Sequence, residues 1–299
     1  MQNPPLVTVI CLCYNHAEFV EEALNSVLNQ SYKNIELIIA DDASTDTSKI
    51  VIEKWLEKHP QILFIANKTN LGNTKTFNNA FKFSKGDFII DLAADDILVP
   101  DCVTKQLEGF EKTIYQNVGL IYGNAELINE KGEFIKDYFE TDSNRKRVHK
   151  QATGSIYIGF LNGTNNLCSV SALMRREVFE KLNGYDENLA YEDYDFWIRA
   201  SRVYNFDYID EILVRKRVLK NSLYSLFLKK NNKKTKQFNY STYLILQKAF
   251  VLNRNKAEFI AMLKRIHFEM TVAFDTRDFG LLLKYILFEI KVRSVILKK

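Results

Sequence analysis

The chain is poor in the features that mark several common protein classes. Only four cysteines occur in 299 residues, at Cys11, Cys13, Cys102 and Cys168, and their scatter is no disulfide framework. Cys11 and Cys13 alternate along an apolar run and read as small buried hydrophobes rather than a metal or redox pair. No uninterrupted apolar run reaches the roughly 20 residues that span a bilayer, so no transmembrane segment is expected. The opening Met1-Gln2-Asn3-Pro4-Pro5 lacks the basic and apolar stretches of a secretory leader, which points to the cytoplasm. Glycine-rich phosphate loops are missing too. Residues 13–18 match neither the dinucleotide fingerprint nor a P-loop, which weakens an oxidoreductase or ATPase reading.

What is present is apolar enough for a sizeable core: 46% of residues are hydrophobic and 13% aromatic. That excludes a disordered or collagen-like chain, and the length suits about two domains. The formal net charge of +4 hides a split, because residues 210–299 carry 20 Lys/Arg against 7 Asp/Glu while the rest of the chain is acidic. Two regions with different partners are expected from such asymmetry.

Val7 to Cys13 reads as a strand buried on both faces. Asn15, with Glu18 three residues on, approximates a capping box for a helix carrying Phe19, Val20, Ala23, Leu24, Val27 and Leu28. Ile35–Ala40, Ile62–Ala66 and Phe88–Leu92 read as further strands, separated by helices around Ile50–Leu56 and Thr74–Phe83. This alternation predicts an α/β layer fold with a mostly parallel sheet. Val118–Tyr122 and Ala125–Ile128 look like short strands, Asp137–Ala152 an exposed polar loop, Ala172–Leu182 a helix with Gly184 as its cap, and Phe206–Val214 a strand. A helix starts near Glu192, and beyond Arg215 the pattern is helical and basic.

Ligands of open parallel sheets bind beyond the carboxyl ends of the strands. At those ends stand Tyr14-Asn15-His16, Asp41-Asp42-Ala43-Ser44-Thr45-Asp46 and Ala93-Ala94-Asp95-Asp96. One Asp-Asp pair is readily explained as turn or capping chemistry. Two pairs at matching strand ends instead ask for a compensating cation or a proton shared between groups, and Mg²⁺ or Mn²⁺ held jointly with a nucleotide's phosphates would supply the cation. Tyr14 could stack on the base. Trp197 reads as core, and His16, His59 and His149 as ordinary surface or loop histidines.

Taken in order, Val9-Ile10-Cys11-Leu12-Cys13-Tyr14-Asn15, Ser26-Val27-Leu28-Asn29-Gln30-Ser31-Tyr32, Glu36 through Asp46, Asn70-Leu71-Gly72, Asp95-Asp96 and Tyr191-Glu192-Asp193-Tyr194-Asp195-Phe196-Trp197 form a pattern. Through these stretches the chain resembles family 2 of the inverting glycosyltransferases, over about residues 6–218. The resemblance implies the GT-A fold, a Rossmann-like mostly parallel sheet flanked by helices. Residues 1–218 would then be the nucleotide-sugar domain and 219–299 a basic helical appendage.

The resemblance also implies roles. Tyr14 would stack on the nucleobase, Asp42 accept a hydrogen bond from it, and Asp95 meet the ribose or metal. Asp96 would ligate a divalent Mn or Mg ion, and Asp193 would be the general base. Asn78 and Arg217 would make further donor contacts, Arg217 by neutralising phosphate. Many relatives carry an Asp where this chain has Ala93, with Asp91 two residues further back inside the strand, and a His where this chain has Arg215-Lys216-Arg217.

The activity so implied is transfer of a hexosyl or related sugar from a nucleotide diphosphate to a carbohydrate or lipid-linked hydroxyl, in bacterial-type polysaccharide or glycolipid synthesis. A nucleotidyltransferase is an alternative, but it needs a glycine-rich phosphate loop that Tyr14-Asn15-His16 does not offer. A non-catalytic nucleotide- or carbohydrate-binding module is another, separated by donor hydrolysis with Mn²⁺. Nucleic acid is not an expected partner. The helical spacing of Phe279, Leu282, Leu283, Ile286, Ile290 and Leu297, with Lys284, Lys291 and Lys298 on another side, suits a helix lying on the inner face of a membrane. Packing on the catalytic domain or on a second copy, as a homo-oligomer, is the competing expectation.

Overall fold

The computed structural model describes residues 4–164, 166–219 and 227–298. Its first half alternates strand and helix: β1 (Val7–Cys13), α1 (Val20–Leu28), β2 (Ile35–Asp41), α2 (Ser48–Leu56), β3 (Leu63–Ala66), α3 (Asn73–Phe81) and β4 (Phe88–Ala93). Then come β5 (Ile97–Leu98), α4 (Cys102–Lys112), β6 (Val118–Ile128), β7 (Phe134–Asp137), α5 (Tyr157–Asn162), β8 (Leu173–Arg175), α6 (Arg176–Leu182), α7 (Asp193–Ser201) and β9 (Asn205–Arg217). Three long helices follow: α8 (Lys233–Leu252), α9 (Lys256–Asp275) and α10 (Phe279–Lys298).

Two compact units result. The sheet unit comprises Met1–Gly154, Leu167–Tyr185 and Tyr204–Leu219, and the helical unit Ser155–Asn166, Asp186–Val203 and Lys220–Lys299. The division is therefore not a single cut near residue 218, because two earlier segments, holding α5 and α7, join the C-terminal helices.

In the sheet unit the strands run in the order β3-β2-β1-β4-β8-β6-β9-β5, with β7 on β6. The β1–β4 core is parallel, as its unbroken apolar runs require: Val7, Val9, Ile10 and Cys11 are fully buried. Register matters for the site. Cys13 pairs with Asp41 and Leu12 with Ala93, so the three strands stop level with one another.

The Ser26–Tyr32 motif fastens the neighbouring turn. Gln30 is buried, donates to the carbonyls of Ser26 and Val99 and accepts from the Val103 N–H, while Ser26 Oγ accepts from the Leu98 N–H. These bonds hold β5, and with it the Asp95-Asp96 turn.

Several local expectations change. Asn15 does not cap α1; it sits at φ 60° and bonds to the loop after β2 instead, a long-range partner that local spacing cannot reveal. The expected Ala172–Leu182 helix begins only at Arg176, because Leu173–Arg175 is a strand wedged between β4 and β6. The two short strands after Val118 are one continuous β6. Lys233 and Lys234 open α8, whose cap is the Asn232 side chain.

The helical unit is tied by side-chain bonds. Tyr157 Oη donates to Asn253 Oδ1 (2.8 Å), Tyr191 and Thr242 hydroxyls meet at 2.6 Å, and Ser241 Oγ accepts from the Ala190 N–H (2.9 Å). Arg265 and Glu269 are a mostly buried pair one helical turn apart on α9. The side of α10 with Leu281, Tyr285, Phe288 and Val292 is buried.

Candidate functional site

The loop after β1 is held rigidly against the loop after β2. Asn15 Oδ1 accepts from the Thr45 N–H (2.7 Å) and the Asp46 N–H (3.3 Å), and the Asn15 N–H donates to Ser44 Oγ (2.9 Å). The His16 N–H donates to Ser48 Oγ and the Ala17 N–H to Asp46 Oδ2. Burial alone would raise the Asp46 carboxyl, but hydrogen bonds from Ser48 and Ala17 hold it below the usual aspartate range. With its neighbours so anchored, Tyr14 keeps 44% of its surface exposed at the strand end. An aromatic ring on a rigid base, open on one face, is suited to stack a planar ligand.

The two acids after β2 have different tasks. Asp41 is buried and closes a local turn by accepting from the Ser44 N–H (3.0 Å) and hydroxyl. Asp42 braces a distant loop: Oδ1 accepts from Asn67 Nδ2 (2.9 Å), the Leu71 N–H (2.7 Å) and Thr76 Oγ1 (2.9 Å), and Oδ2 from the Gly72 N–H (2.8 Å). This explains the Asn70-Leu71-Gly72 motif, since Gly72 adopts φ +87°, a conformation that favours glycine, to present its N–H. Asp42 Oδ2, with one such partner, retains acceptor capacity.

Asp95 and Asp96 follow β4. Asp96 is buried and its Oδ1 accepts from the Arg217 N–H (2.8 Å). Burial pushes its carboxyl up to about 7; the Lys216 charge opposes this, Asp95 adds to it, and the Arg217 N–H opposes it again. Asp95 faces His16, Oδ1 to Nδ1 at 3.6 Å, and that buried Nδ1 has no hydrogen-bond partner. His16 is thus not an ordinary loop histidine. The fixed loop turns its ring toward the acid pair, a placement set by Asn15 and Ser48 that no spacing signals.

Two residues expected at the donor are spent within the protein. Arg217 donates through Nε to the Asp95 carbonyl and through one terminal nitrogen to the Asn129 and Glu130 carbonyls; the other meets Glu22 (2.7 Å). Its guanidinium lies over the Phe19 ring, with 2% of the side chain exposed, so it anchors the acid turn instead of reaching for phosphate. Asn78 forms a reciprocal pair with the Tyr185 backbone, donating to its carbonyl (2.9 Å) and accepting from its N–H (3.0 Å). Gly184 comes so close that a Cβ there would lie 2.5 Å from Asn78 Oδ1. Asp91 is likewise engaged, by the Tyr185 hydroxyl (3.0 Å). Lys216, the middle residue of the Arg-Lys-Arg run, acts on Asp96 through its charge more strongly than Arg217 does.

Asp193 is the first residue of α7 in the helical unit, and its Oδ1 accepts from the Tyr194 N–H (2.7 Å). Asp195 is buried and paired with Arg199 (2.7 Å) and Lys248 (2.9 Å), which makes it structural. Trp197 is core, as expected. Among the described residues no group of three or more His, Cys, Asp or Glu side chains could hold a metal ion without help. The Asp95-Asp96 pair fits only an ion completed by ligand oxygens.

The sequence matches the family model described as Glycosyl transferase family 2 over residues 8–182. An uncharacterized glycosyltransferase of Haemophilus influenzae is 29% identical over 100% of this chain and 97% of that protein. Another, of Methanocaldococcus jannaschii, is 29% identical over 79% of this chain and 82% of that protein. Among solved structures, S. aureus TarS in complex with UDP-GlcNAc has a TM-score of 0.66 at 17% identity, over 90% of this chain and 75% of that one. The mannosyltransferase PcManGT of Pyrobaculum calidifontis, in complex with GDP-Man and Mn²⁺, has a TM-score of 0.54 at 16% identity, over 99% and 88%. These structural likenesses bear on the fold, which is of the GT-A type.

Proposed function

The chain belongs to glycosyl transferase family 2 and is a glycosyltransferase; on that premise we propose an inverting transfer of a hexosyl or related sugar from a nucleotide diphosphate to an acceptor hydroxyl. The observation that carries this reading is the level ending of β1, β2 and β4, which sets an exposed Tyr14, the Asp42-braced loop and the Asp95-Asp96 pair along one sheet edge. Tyr14 stacks on the base and Asp42 Oδ2 takes a hydrogen bond from it. Asp95 holds the ribose. Asp95 and Asp96 would hold Mn²⁺ or Mg²⁺ together with the donor's phosphates, and such an ion, when bound, neutralises charge on the departing diphosphate.

Asp193 is the base in this reading. An acceptor hydroxyl is a poor nucleophile until a carboxylate takes its proton as attack proceeds. The start of a helix favours the ionised form of Asp193 that this requires. One displacement, with the hydroxyl oxygen attacking the anomeric carbon as the diphosphate leaves, inverts the configuration. The acceptor is a carbohydrate or a lipid-linked sugar of polysaccharide or glycolipid synthesis, met at the inner face of a membrane. The basic C-terminal region supports that placement, and no helix among the described residues is long and apolar enough to cross a bilayer.

A thermal-shift screen of nucleotide sugars with and without Mn²⁺ tests the donor site. A ligand at about 100 times its dissociation constant adds roughly 2.7 kcal/mol of stability. Asp96→Ala should abolish transfer and lose the Mn²⁺-dependent part of the shift. Stabilisation of the wild type by no nucleotide sugar, or a full Mn²⁺-dependent shift in D96A, would overturn the assignment.

A further inference from the structure

The last helix is apolar on two opposite sides, and only one of them is covered. Leu281, Tyr285, Phe288 and Val292 face the helical unit's own core, where Tyr285 and Phe288 pack edge-on against Tyr243 of α8. On the other side Phe279, Leu283, Leu287 and Ile290 are 57–61% exposed, and Leu297 is 86% exposed. Phe274, itself exposed at the end of α9, packs edge-on with Phe279 and extends the row around the turn. At 1.5 Å per residue, Phe279 to Ile290 alone is a stripe about 16 Å long. Apolar residues exposed singly need no explanation, but a continuous row of this kind marks a surface that meets something.

The charges beside the stripe choose the partner. Lys284, Lys291 and Lys298 recur every seventh residue and so follow one edge of it. Lys284 and Lys291 are held there over the Tyr240 and Phe250 rings of α8, at 6.0 and 4.6 Å. Arg293 lies on the other edge. The single carboxylate of α10, Glu289, is bonded to Arg293 (2.7 Å) and to His267 of α9 (2.9 Å), which neutralises it. The edge of Lys284, Lys291 and Lys298 therefore presents cations beside the apolar centre, while the other edge is an Arg293–Glu289 ion pair. In an antiparallel twofold contact with a second copy the two lysine edges would meet one another and repel. Against a bilayer of anionic phospholipid they sit at headgroup level while the apolar row enters the acyl boundary.

We propose that the outward face of α10 is a membrane-docking surface, with Phe279, Leu283, Leu287 and Ile290 inserting and Lys284, Lys291 and Lys298 binding anionic headgroups. This sharpens the membrane placement given above and rests on it alone, independently of the sugar chemistry. The basic run Lys229 to Lys236, at the start of α8, supplies a second electrostatic attachment.

The test is flotation of the full chain with vesicles of phosphatidylcholine alone or with phosphatidylglycerol. The wild type should bind phosphatidylglycerol vesicles at low salt and be released as salt rises. Leu283→Glu with Ile290→Glu should lower vesicle binding at least about tenfold, and Lys284→Glu with Lys291→Glu by a similar factor. Because Leu283 and Ile290 are exposed, thermal melting and donor hydrolysis should be unchanged in that pair; Leu283→Ser with Ile290→Ser gives a milder check of folding. A wild type that never floats would overturn both the docking surface and the membrane placement. Flotation that persists in L283E/I290E would leave the placement standing and overturn the docking surface. A wild-type dimer in solution that L283E/I290E converts to a monomer would assign the stripe to a second copy instead.

Discussion

The two units bury acids in opposite ways. In the sheet unit, Asp41, Asp42 and Asp96 accept hydrogen bonds from backbone N–H groups, hydroxyls and an amide. In the helical unit, Asp195, Glu258 and Glu269 meet full cations: Arg199 and Lys248, Arg202, and Arg265. An ionised carboxylate bonded to neutral donors projects its charge, although burial pushes Asp96 up to about 7, whereas an ion pair is electrically closed. The sheet unit is thereby built to attract cations and donor groups at its strand ends. The helical unit uses charge to hold itself together. Asp193, less buried than these, accepts from the Tyr194 backbone N–H, the pattern of the other unit.

The sharpest way to break this contrast is Asp193→Asn. If Asp193 is the base, turnover should fall about 10²–10⁴-fold while donor binding and the melting temperature hold. Steady-state kinetics beside calorimetry decide it, and a loss below tenfold would move the base elsewhere. Arg217→Met should cost the sheet unit roughly 2–4 kcal/mol in denaturant unfolding. Most of that comes from the Asp95, Asn129 and Glu130 carbonyls left without a donor; little comes from Glu22, whose side chain is 53% exposed.

The smallest effect is in pH. Burial alone would raise the Glu258 carboxyl, yet the Arg254 N–H and the Arg202 guanidinium hold it below its ordinary 4.5. Its contribution is complete above that unfolded value and is lost as pH falls through the lower folded one. Melting followed by circular dichroism should therefore drop on acidification below about 4.5, less steeply in Glu258→Gln.

Much of the sheet unit is legible in the sequence because parallel strands buried on both faces leave unbroken apolar runs such as Val7–Cys13. Shorter elements leave no such trace. Leu173–Arg175 is three residues running straight into α6, so its apolar pair merges with the helical pattern. Helix α4 buries Gln106 and Gly109 beside Cys102 and Val103, which blurs its apolar stripe. At the site, motifs mark positions but not tasks. Asp42 stands within the recognisable pattern and Asn78 and Arg217 outside its motifs, and the structure has Asn78 and Arg217 holding backbone. His16 was invisible as part of the site because its place depends on Asn15 meeting a loop 30 residues away.

The division of the chain has a further consequence for how it can be made and cut. The polypeptide passes between the units after Gly154, Asn166, Tyr185, Val203 and Leu219. During synthesis, α5 and α7 emerge long before α8 and α9, whose side chains bond to them, so their apolar faces wait uncovered until the last third is complete. The same holds for a fragment ending near residue 218. It would keep every strand and every acid of the strand ends, yet lose α8 and α9, against which α7 and α5 pack. Removing the basic tail is thus not the removal of an accessory; it strands the helix that carries Asp193.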